Sequence, residues 1–433
     1  MSLSFQRLSR PHFLVGSGQR APSALAGLRN AGPYQRGDCP TEPRILFVFP
    51  DELRDEANRL FVALKNGIGP FRGTEPLLGY RLLSSNVERL PPFSVAGLSD
   101  EKAARIYQQA IEARLSRGDL RADLALVIHR KTDRTDQENP YLRSKFPLLR
   151  SNIPTQAVTE ELLERTDTFQ WSAANIALAM FVKMGGIPWA VETELSEDSL
   201  IVGINRVFVS GSRYFGFAST FAHNGIYRGT RLFAPARGWN AYLAGLDEAI
   251  RSALGAWRDD IGAPMNLVVH LRKELGRDER MIIERCLADA GSDFVRAWAA
   301  VKLVDSDHIA LFDEHDEAAT PPAGVMVRLA GHRALLQIPG KEPDVSGFGR
   351  VVNAGPWHVT RLAYSPGAPP LDVLCANILA LSAMNWSGLN AEAAPVTIRY
   401  PGKVSELLGR FVEAGFDVAQ LQQAPIFRRA WFI

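Results

Sequence analysis

The sequence predicts an α/β protein of two to four domains, and three observations support this prediction. Its 433 residues exceed the roughly 100–200 residues of a typical domain. Buried strands alternate with amphipathic helices in the first half, which is the pattern of a doubly wound parallel sheet with helices on both faces. The second half begins with three successive strands, which indicate a partly antiparallel sheet of a different kind.

The composition excludes several classes of protein. With 46% hydrophobic and 22% charged residues, the chain is neither disordered nor collagen-like. Because 49 Lys and Arg face 47 Asp and Glu, a uniformly basic coat is excluded and any polyanion site must be a local cluster. The number of cysteines is odd, and Cys39, Cys286 and Cys375 include no CxxC pair. This argues against a disulfide framework or a structural zinc site and favours a reducing compartment, the cytoplasm, as the location of the protein. No apolar run reaches the ~18 residues of a membrane-spanning helix.

Residues 1–43 are interpreted as a basic leader, and we expect regular structure only from Arg44. No acidic residue precedes Asp38, whereas five arginines are scattered among Ser, Ala and Gly. This composition is typical of an organelle transit peptide. We prefer the interpretation of a flexible or strap-like leader whose arginines contact a partner protein or a phosphate backbone.

A strand and helix alternation defines the first domain, which we place at residues 44–170. The apolar run Ile45–Phe49 predicts a buried strand, and helical spacing from Glu52 to Asn66 predicts a helix that Gly67 ends. A second helix starts at Ser99 and Asp100, and Leu124–Ile128 predicts the next strand. A polar, basic loop follows that strand, at the position where parallel sheets bind ligands.

The second domain, residues 171–433, begins with a long apolar helix over Ser172–Met184. Three strands, a helix, a strand and a helix follow, which is the element order of the ribonuclease-H-like fold. The predicted bounds of these six elements are Leu200–Ser210, Tyr214–Ala222, Gly225–Ala234, Trp239–Trp257, Leu267–Leu271 and Asp278–Ala290. Further elements are predicted at Ile309–Phe312, Val325–Leu329, Ala334–Ile338, Trp357–Ala363 and, as a helix, Leu371–Met384.

Five polar residues form the strongest candidate binding site. Tyr141 and Lys145 are four residues apart, so on a helix they point the same way. Asn175 and Lys183 lie two helical turns apart on one face, and Gln156 adds an amide. Cations and neutral donors around a small cavity are what a terminal phosphate needs. Spacing alone favours a half-buried tyrosine, solvated lysines and a capping asparagine over a binding site.

Several stretches resemble the MID–PIWI junction of prokaryotic Argonautes. They are Tyr141–Lys145, Ile153–Thr159 and Asn175–Trp189, and the match continues through Ile201–Ile204. The resemblance covers most of the chain from Arg44 onwards. It implies a doubly wound, Rossmann-like MID domain joined to a ribonuclease-H-like PIWI domain, as in the short Argonautes that contain only these two domains.

The resemblance also assigns roles to the five polar residues. In Argonautes, the positions matched by Tyr141, Lys145, Gln156 and Lys183 bind the 5′-phosphate of a guide strand. The same role is implied for Asn175.

A Mg²⁺ ion between the first guide phosphates is a further implication. The expected protein ligands are Gln156 and the terminal carboxylate of Ile433. The chain ends in the apolar, aromatic sequence Arg428–Ile433, which would fold inward. A buried carboxylate then needs a cation. An ordinary final strand is an alternative for this segment.

The positions that carry slicing carboxylates in Argonautes are occupied here by other residues. The expected aspartates are replaced by Asn205, by Arg272 and, after Tyr400-Pro401, by Gly402. Two divalent ions need carboxylates around them, because the developing charge and the attacking water both depend on the metals. We therefore expect a PIWI domain that is not an enzyme.

The resemblance implies a guided system that signals instead of cutting. The expected ligands are a 5′-phosphorylated guide RNA and a single-stranded DNA target, recognised by base pairing. The expected partner is a separate PAZ-like effector, either a sirtuin-like or Toll-receptor-like NAD hydrolase or a nuclease, acting in prokaryotic defence. Two alternatives remain open, namely a guided nuclease with displaced metal ligands and a nucleic-acid binder that uses no guide.

Overall fold

The computed structural model describes most of the chain as two compact units. The parallel-sheet unit comprises described residues within 13–189, 386–389 and 406–433, and the large-sheet unit those within 1–12, 190–385 and 390–405. None of the helices in the described ranges meets the length and apolar character of a bilayer-spanning segment. The described residues are 4–132, 138–209, 213–232, 236–305, 308–315, 319, 321–338, 355–389, 394–421 and 424–433.

Strands and helices alternate over most of the described residues. In chain order the strands are β1 Ser4–Arg7, β2 Phe13–Val15, β3 Gln19–Ala21, β4 Ile45–Val48, β5 Val87–Arg89, β6 Leu124–His129, β7 Thr155–Thr159, β8 Ala190–Val191, β9 Ser199–Val209, β10 Arg213–Ala222, β11 Tyr227–Leu232, β12 Ala236–Arg237, β13 Met265–Leu271, β14 Val295–Asp305, β15 Val325–Ala330, β16 Arg333–Leu336 and β17 Trp357–Tyr364. The helices are α1 Ala24–Ala31, α2 Arg54–Asn66, α3 Thr74–Leu78, α4 Asp100–Leu115, α5 Pro140–Arg150, α6 Glu160–Glu164, α7 Thr166–Lys183, α8 Trp239–Asp260, α9 Arg277–Ala290, α10 Leu371–Ser382 and α11 Val396–Glu413.

The parallel-sheet unit contains a four-stranded sheet in the order β5-β4-β6-β7, with every neighbouring pair parallel. The central strands β4 and β6 are buried along their whole length, as continuous apolar runs predict. Leu46, Val48, Ala125 and Val127 belong to one core with Tyr107 of α4. The predicted doubly wound α/β sheet is confirmed.

The basic segment after β6 contains helix α5, whose first residues are fixed by a cap and a proline. Asn139 caps the helix, because its Oδ1 accepts the backbone N–H of Tyr141 at 2.7 Å. Pro140 occupies the first turn, where its missing N–H leaves no helical hydrogen bond unmade. Tyr141 and Lys145 are therefore one helical turn apart on the same side of α5.

The large-sheet unit is built on a ten-stranded sheet. Its main path runs β1-β15-β16-β17-β14-β13-β9-β10-β11, and β12 pairs with β10. The β9, β10 and β11 strands form the predicted antiparallel meander, while β13 is parallel to both β9 and β14. Val202 and Val269 share a core with Leu246 of α8 and Ile283 of α9. The element order predicted for a ribonuclease-H-like sheet is confirmed.

Regular structure begins earlier than the sequence predicts. Strands β1, β2 and β3 and helix α1 all precede Arg44. Ser23 caps α1 by accepting the N–H of Ala26 at 3.3 Å, and Val15 and Leu28 are each only 1% exposed. The prediction that structure starts at Arg44 is wrong, because short apolar segments lie between the scattered arginines and are buried.

The second half also differs from the prediction in three elements. Residues 309–312 are not a strand, and Phe312 is 74% exposed. Strand β14 was not predicted, since its alanine-rich sequence favours helix and only burial in the sheet makes it extended. Helix α11 was not predicted either, because it contains Pro401 and Gly402, which normally interrupt a helix.

Candidate functional site

Lys145 is the most deeply buried cation of the candidate pocket in the parallel-sheet unit. Its side chain lies against aromatic faces, with Nζ 5.2 Å from the ring centroid of Tyr141 and 5.8 Å from that of Trp431. Such contacts attract an ammonium group but do not neutralise it. The residue is only 1% exposed, so water cannot solvate the charge either.

Neutral carbonyl oxygens are the polar partners of this ammonium group. Lys145 Nζ donates to the backbone oxygens of Thr155 and Trp431, both at 3.4 Å. Within the described residues, no carboxylate lies within 4.0 Å of Lys145 Nζ. Desolvating an ammonium group costs several kcal/mol, and weak hydrogen bonds to carbonyls offset only part of that cost. The position therefore favours an anionic ligand.

Lys183 and Gln156 form the second half of the pocket. Lys183, at the last position of α7, is 3% exposed and donates to Gln156 Oε1 at 2.7 Å and to the Thr155 oxygen at 3.0 Å. Gln156 Nε2 donates to the oxygen of Ala157 at 2.9 Å, which fixes the amide orientation. Because Lys145 and Lys183 share the carbonyl of Thr155, the two ammonium groups lie side by side.

Asn175 has a different contact from the other four predicted residues. It lies eight residues before Lys183 on α7, about 12 Å along the helix axis. Its Oδ1 accepts the backbone N–H of Leu389 at 3.0 Å. The structure therefore gives Asn175 a contact that holds the segment around Leu389. Lys145 and Lys183 meet at Thr155, Gln156 contacts Lys183, and Tyr141 contacts Lys145.

Arg410 and His129 are pocket residues that sequence analysis missed. The Arg410 guanidinium lies 5.9 Å from the Tyr141 ring centroid, and its Nη2 is buried without a hydrogen-bond partner among the described residues. The His129 ring is 6.3 Å from that of Tyr141, and burial lowers the pKa of His129, so the imidazole is neutral at pH 7. Arg410 lies in the unpredicted helix α11, and no sequence pattern connects it to Tyr141.

Two further buried polar atoms belong to residues of this pocket. Thr155 Oγ1 and Trp431 Nε1 both lack a hydrogen-bond partner among the described residues. Thr155 is 1% exposed, and the Trp431 side chain is fully buried. Buried polar groups are normally hydrogen-bonded, so unsatisfied atoms beside a buried cation indicate that a polar ligand completes the site.

The C-terminal segment folds inward, as its aromatic sequence predicts. Trp431 is fully buried against Phe427 and Phe432, and Ile433 is half-buried. A 3-10 turn over Pro425–Arg428 precedes it, so the segment is not a final strand. Among the described residues, no three His, Cys, Asp or Glu side chains are grouped so that they could hold a metal ion.

The three positions expected for slicing carboxylates lie close together in the large-sheet unit. Asn205 on β9 donates from Nδ2 to Ser405 Oγ at 3.1 Å, and Ser405 in turn donates to the carbonyl oxygen one residue before Gly402. Strands β9 and β13 are paired up to Ile204 opposite Leu271, so Asn205 and Arg272 follow side by side. Arg272 forms an ion pair with Asp305 at 2.7 Å. An amide, a paired guanidinium and a glycine occupy the three positions.

Proteins of known sequence show clear similarity to this chain. It is 25% identical over 425 residues to an Argonaute protein of Cereibacter sphaeroides, an alignment that covers 90% of this chain and 54% of that protein. It is 22% identical to an Argonaute of Aquifex aeolicus and 21% identical to a Piwi protein of Archaeoglobus fulgidus, of which it covers 39% and 71%. The chain thus spans about half the length, or less, of the two Argonautes.

Solved structures share the fold. The Clostridium butyricum Argonaute, solved with a guide DNA and a 19-mer target DNA, superimposes with a TM-score of 0.71 at 15% identity, over 95% of this chain and 53% of that one. Drosophila Piwi gives a TM-score of 0.73 at 16% identity, over 99% of this chain and 56% of that one. The family profile described as Piwi domain matches residues 126–413, about two thirds of the sequence. The chain therefore belongs to the Piwi-domain family, as its resemblance to Argonautes predicts.

Proposed function

We propose that this protein binds the 5′-phosphate of a guide strand in the pocket of Tyr141, Lys145, Gln156 and Lys183. The observation that supports this proposal most strongly is the buried ammonium group of Lys145, whose polar partners among the described residues are carbonyl oxygens. A terminal phosphate carries about −1.5 to −2 charges at pH 7, which would balance the two lysines.

Each side chain of the pocket has a separate role in this proposal. Lys145 and Lys183 neutralise the phosphate, and the Gln156 amide orients Lys183 through its 2.7 Å contact. The Tyr141 ring, beside Lys145 and Arg410, offers a face on which the first base can stack. The remaining guide bases would then pair with a target while the protein contacts only the backbone.

The Argonaute resemblance implies a Mg²⁺ ion at this pocket, which we propose would bind together with phosphate oxygens. Gln156 Oε1 and the terminal carboxylate of Ile433 are hard oxygen ligands of the type that Mg²⁺ takes. Gln156 Oε1 already accepts a hydrogen bond from Lys183, so guide phosphates must supply most of the negative charge. When bound, the ion would reduce repulsion between the first guide phosphates.

We further propose that the protein recognises its target without cutting it. Asn205, Arg272 and Gly402 occupy the positions where the Argonaute resemblance implies metal-binding carboxylates, and Arg272 is paired with Asp305. A guanidinium repels divalent cations, and neither an amide nor a glycine supplies the charge that two metals need. These replacements support target retention as the outcome of pairing.

The wider role that we propose follows from the Argonaute resemblance. The guide would be RNA and the target single-stranded DNA. A separate PAZ-like effector, an NAD hydrolase of sirtuin-like or Toll-receptor-like type or a nuclease, would act once pairing occurs. The setting would be prokaryotic defence against plasmids or phages.

Binding of matched oligonucleotides tests the proposed pocket. We expect the protein to bind an RNA with a 5′-phosphate about 10- to 100-fold more tightly than the same RNA with a 5′-hydroxyl, equivalent to about 1.4–2.8 kcal/mol. Fluorescence anisotropy with a 3′-labelled strand measures both affinities, and the matching DNA pair shows which guide is preferred. Equal affinity for the phosphate and hydroxyl forms would overturn the proposal.

A further inference from the structure

Residues 34–39, which precede the first strand of the four-stranded sheet, lie against the turn that follows Lys183. We call these six residues the N-terminal brace, and they belong to the same parallel-sheet unit as the phosphate pocket. Gln35 and Ile187 exchange both backbone hydrogen bonds, with N–H to oxygen distances of 3.0 and 2.9 Å. The N-terminal brace is therefore paired with the backbone just beyond α7, the helix that ends at Lys183.

Two glycines bring the N-terminal brace and this turn into direct backbone contact. Gly37 has a φ of +52°, and a Cβ there would lie 2.2 Å from the carbonyl oxygen of Gly185. Gly185 has a φ of +99°, and a Cβ there would lie 2.8 Å from the Cβ of Asp38. Because no side chain fits between the two segments, a shift of the N-terminal brace should move the turn. Lys183 lies only two residues before Gly185.

The N-terminal brace also contacts the C-terminal segment. Asp38 Oδ2 lies 3.5 Å from Arg429 Nη2. Arg429 is two residues before Trp431, whose carbonyl oxygen accepts a hydrogen bond from Lys145 Nζ. The Asp38 and Arg429 side chains are 74% and 32% exposed, so their ion pair contributes little to folding stability. Its effect is instead to set where the C-terminal segment lies.

Arg36 fixes the N-terminal brace independently of the pocket. Its Nη1 donates to the backbone oxygen of Gly79 at 3.0 Å, and its Nη2 donates to that of Cys39 at 3.3 Å. Cys39 is only 5% exposed. Residues on both sides of Gly37 and Asp38 are therefore held in place, which lets these two residues act as fixed supports.

We propose that the N-terminal brace positions the two lysines of the phosphate pocket, with Gly37 and Asp38 as positioning residues. Gly37 acts on Lys183 through the turn after α7, and Asp38 acts on Lys145 through the C-terminal segment. A binding site needs its groups held within about 0.5 Å by the residues around them, so small shifts should matter. The inference rests on the proposed function, and it makes guide binding depend on residues that do not touch the guide phosphate.

Replacement of Gly37 and Asp38 tests this role. The affinities for a 5′-phosphorylated RNA and for the same RNA with a 5′-hydroxyl are measured by fluorescence anisotropy, and their ratio is the phosphate preference. Gly118→Ala is the matched control for Gly37→Ala, because Gly118 also has a positive φ, +73°, but its Cβ would have no neighbour within 4 Å. Asp38→Lys places a second cation beside Arg429, and the added change Arg429→Glu restores an ion pair of reversed sign.

We expect the phosphate preference to fall by about 3- to 10-fold in Gly37→Ala and by about 2- to 5-fold in Asp38→Lys, without weaker binding of the hydroxyl strand. Loss of folding would weaken both strands together, and thermal unfolding of each variant checks for it. Asp38 is exposed, so Asp38→Lys should fold even if Gly37→Ala does not. Arg429→Glu should restore the preference in Asp38→Lys, and Gly118→Ala should keep it.

The outcomes separate this inference from the proposed function. A phosphate preference that both single variants retain, or a loss in Asp38→Lys that Arg429→Glu does not reverse, would overturn the positioning role alone. An equal loss in Gly118→Ala would also overturn it, since strain at any glycine would then have the same effect. Equal affinities for the two strands in the unchanged protein would overturn the proposed function and this inference with it.

Discussion

At the scale of single residues, the charge on the buried lysines explains why the pocket should bind an anion. Lys145 and Lys183 are 1% and 3% exposed, and the contacts found for Lys145 are carbonyls and rings. A protein gains no stability from such an ammonium group, because desolvation exceeds what neutral partners return. A negatively charged ligand would pair with this ammonium group, and that pairing would stabilise the complex. The pocket is therefore better explained by ligand binding than by folding.

Replacement of Arg410 tests whether the pocket extends beyond the sequence motif. Its buried Nη2 has no hydrogen-bond partner among the described residues, so we expect Arg410→Gln to weaken binding of a 5′-phosphorylated guide by about 10-fold, or about 1.4 kcal/mol. Arg105→Gln, which removes an exposed helical ion pair of α4, is the control. Isothermal titration with both variants measures the effect. An unchanged affinity would place Arg410 outside the phosphate site.

Because His270 is buried, we expect the protein to lose stability in acid. It is fully buried, its Nδ1 lies 2.8 Å from Thr397 Oγ1, and burial lowers its pKa to about 3. In the unfolded chain the histidine has a pKa of about 6.5 and binds a proton below that pH, whereas in the folded chain it stays neutral. The free energy of unfolding therefore falls as the pH drops below 6.5. At pH 5 this one residue should cost about 2 kcal/mol.

Urea unfolding at pH 7 and pH 5 measures this loss. His270→Gln should reduce the difference between the two pH values, whereas His315→Gln, at an exposed position, should leave it unchanged. If His270→Gln kept the full acid sensitivity, burial of the neutral imidazole would not be its cause.

At the scale of elements, burial and turn chemistry explain what the sequence could predict. The strands β4 and β6 are continuous apolar runs, and α5 has an Asn-Pro start, so these elements and the Tyr141–Lys145 pair follow from local pattern. Strand β14 and helix α11 did not follow. In both elements, packing in the folded protein outweighs the local preference of the segment for another structure. That packing cannot be read from a short stretch of sequence. Arg410 was missed for that reason.

The contact between β9 and α11 is a sensitive point of the large-sheet unit. A Cβ at Gly203 would lie 2.0 Å from the carbonyl oxygen of Thr397, a backbone atom that cannot move aside cheaply. We expect Gly203→Ala to destabilise the protein by at least about 2 kcal/mol. Gly255→Ala, in α8 with no neighbour within 4 Å, should stabilise it by about 0.5–1 kcal/mol. Thermal unfolding of both variants checks the contrast, and equal melting temperatures would contradict it.

At the scale of the whole molecule, the candidate functional residues belong to the units built on the four-stranded and the ten-stranded sheets. The parallel-sheet unit carries the proposed phosphate pocket, in which four of the five residues named by the motif lie in one set of contacts. The large-sheet unit has a ribonuclease-H-like strand order, with Asn205 and Arg272 side by side where the Argonaute resemblance implies carboxylates. The contacts of Arg206 with Trp239 and Glu279 could not be predicted, because these residues are distant in sequence and meet only in the folded protein.

Cleavage assays test the large-sheet unit as a whole. We expect guide-loaded protein to leave a complementary DNA or RNA target intact in Mg²⁺ or Mn²⁺, because Asn205, Arg272 and Gly402 cannot hold two metal ions. Denaturing electrophoresis of a labelled target over several hours measures this. A discrete product opposite one guide position, made only by guide-loaded protein, would establish displaced metal ligands.

The most direct test of the phosphate pocket is a thermodynamic cycle between Lys145 and the guide phosphate. Affinities are measured for the unchanged protein and Lys145→Met, each with the 5′-phosphorylated and the 5′-hydroxyl strand, and Lys131→Met serves as an exposed-lysine control. We predict a coupling energy of about 1.5–3 kcal/mol for Lys145 and none for Lys131. If Lys145→Met weakened both strands equally, the buried ammonium group would not contact the guide phosphate, and the central claim would be wrong.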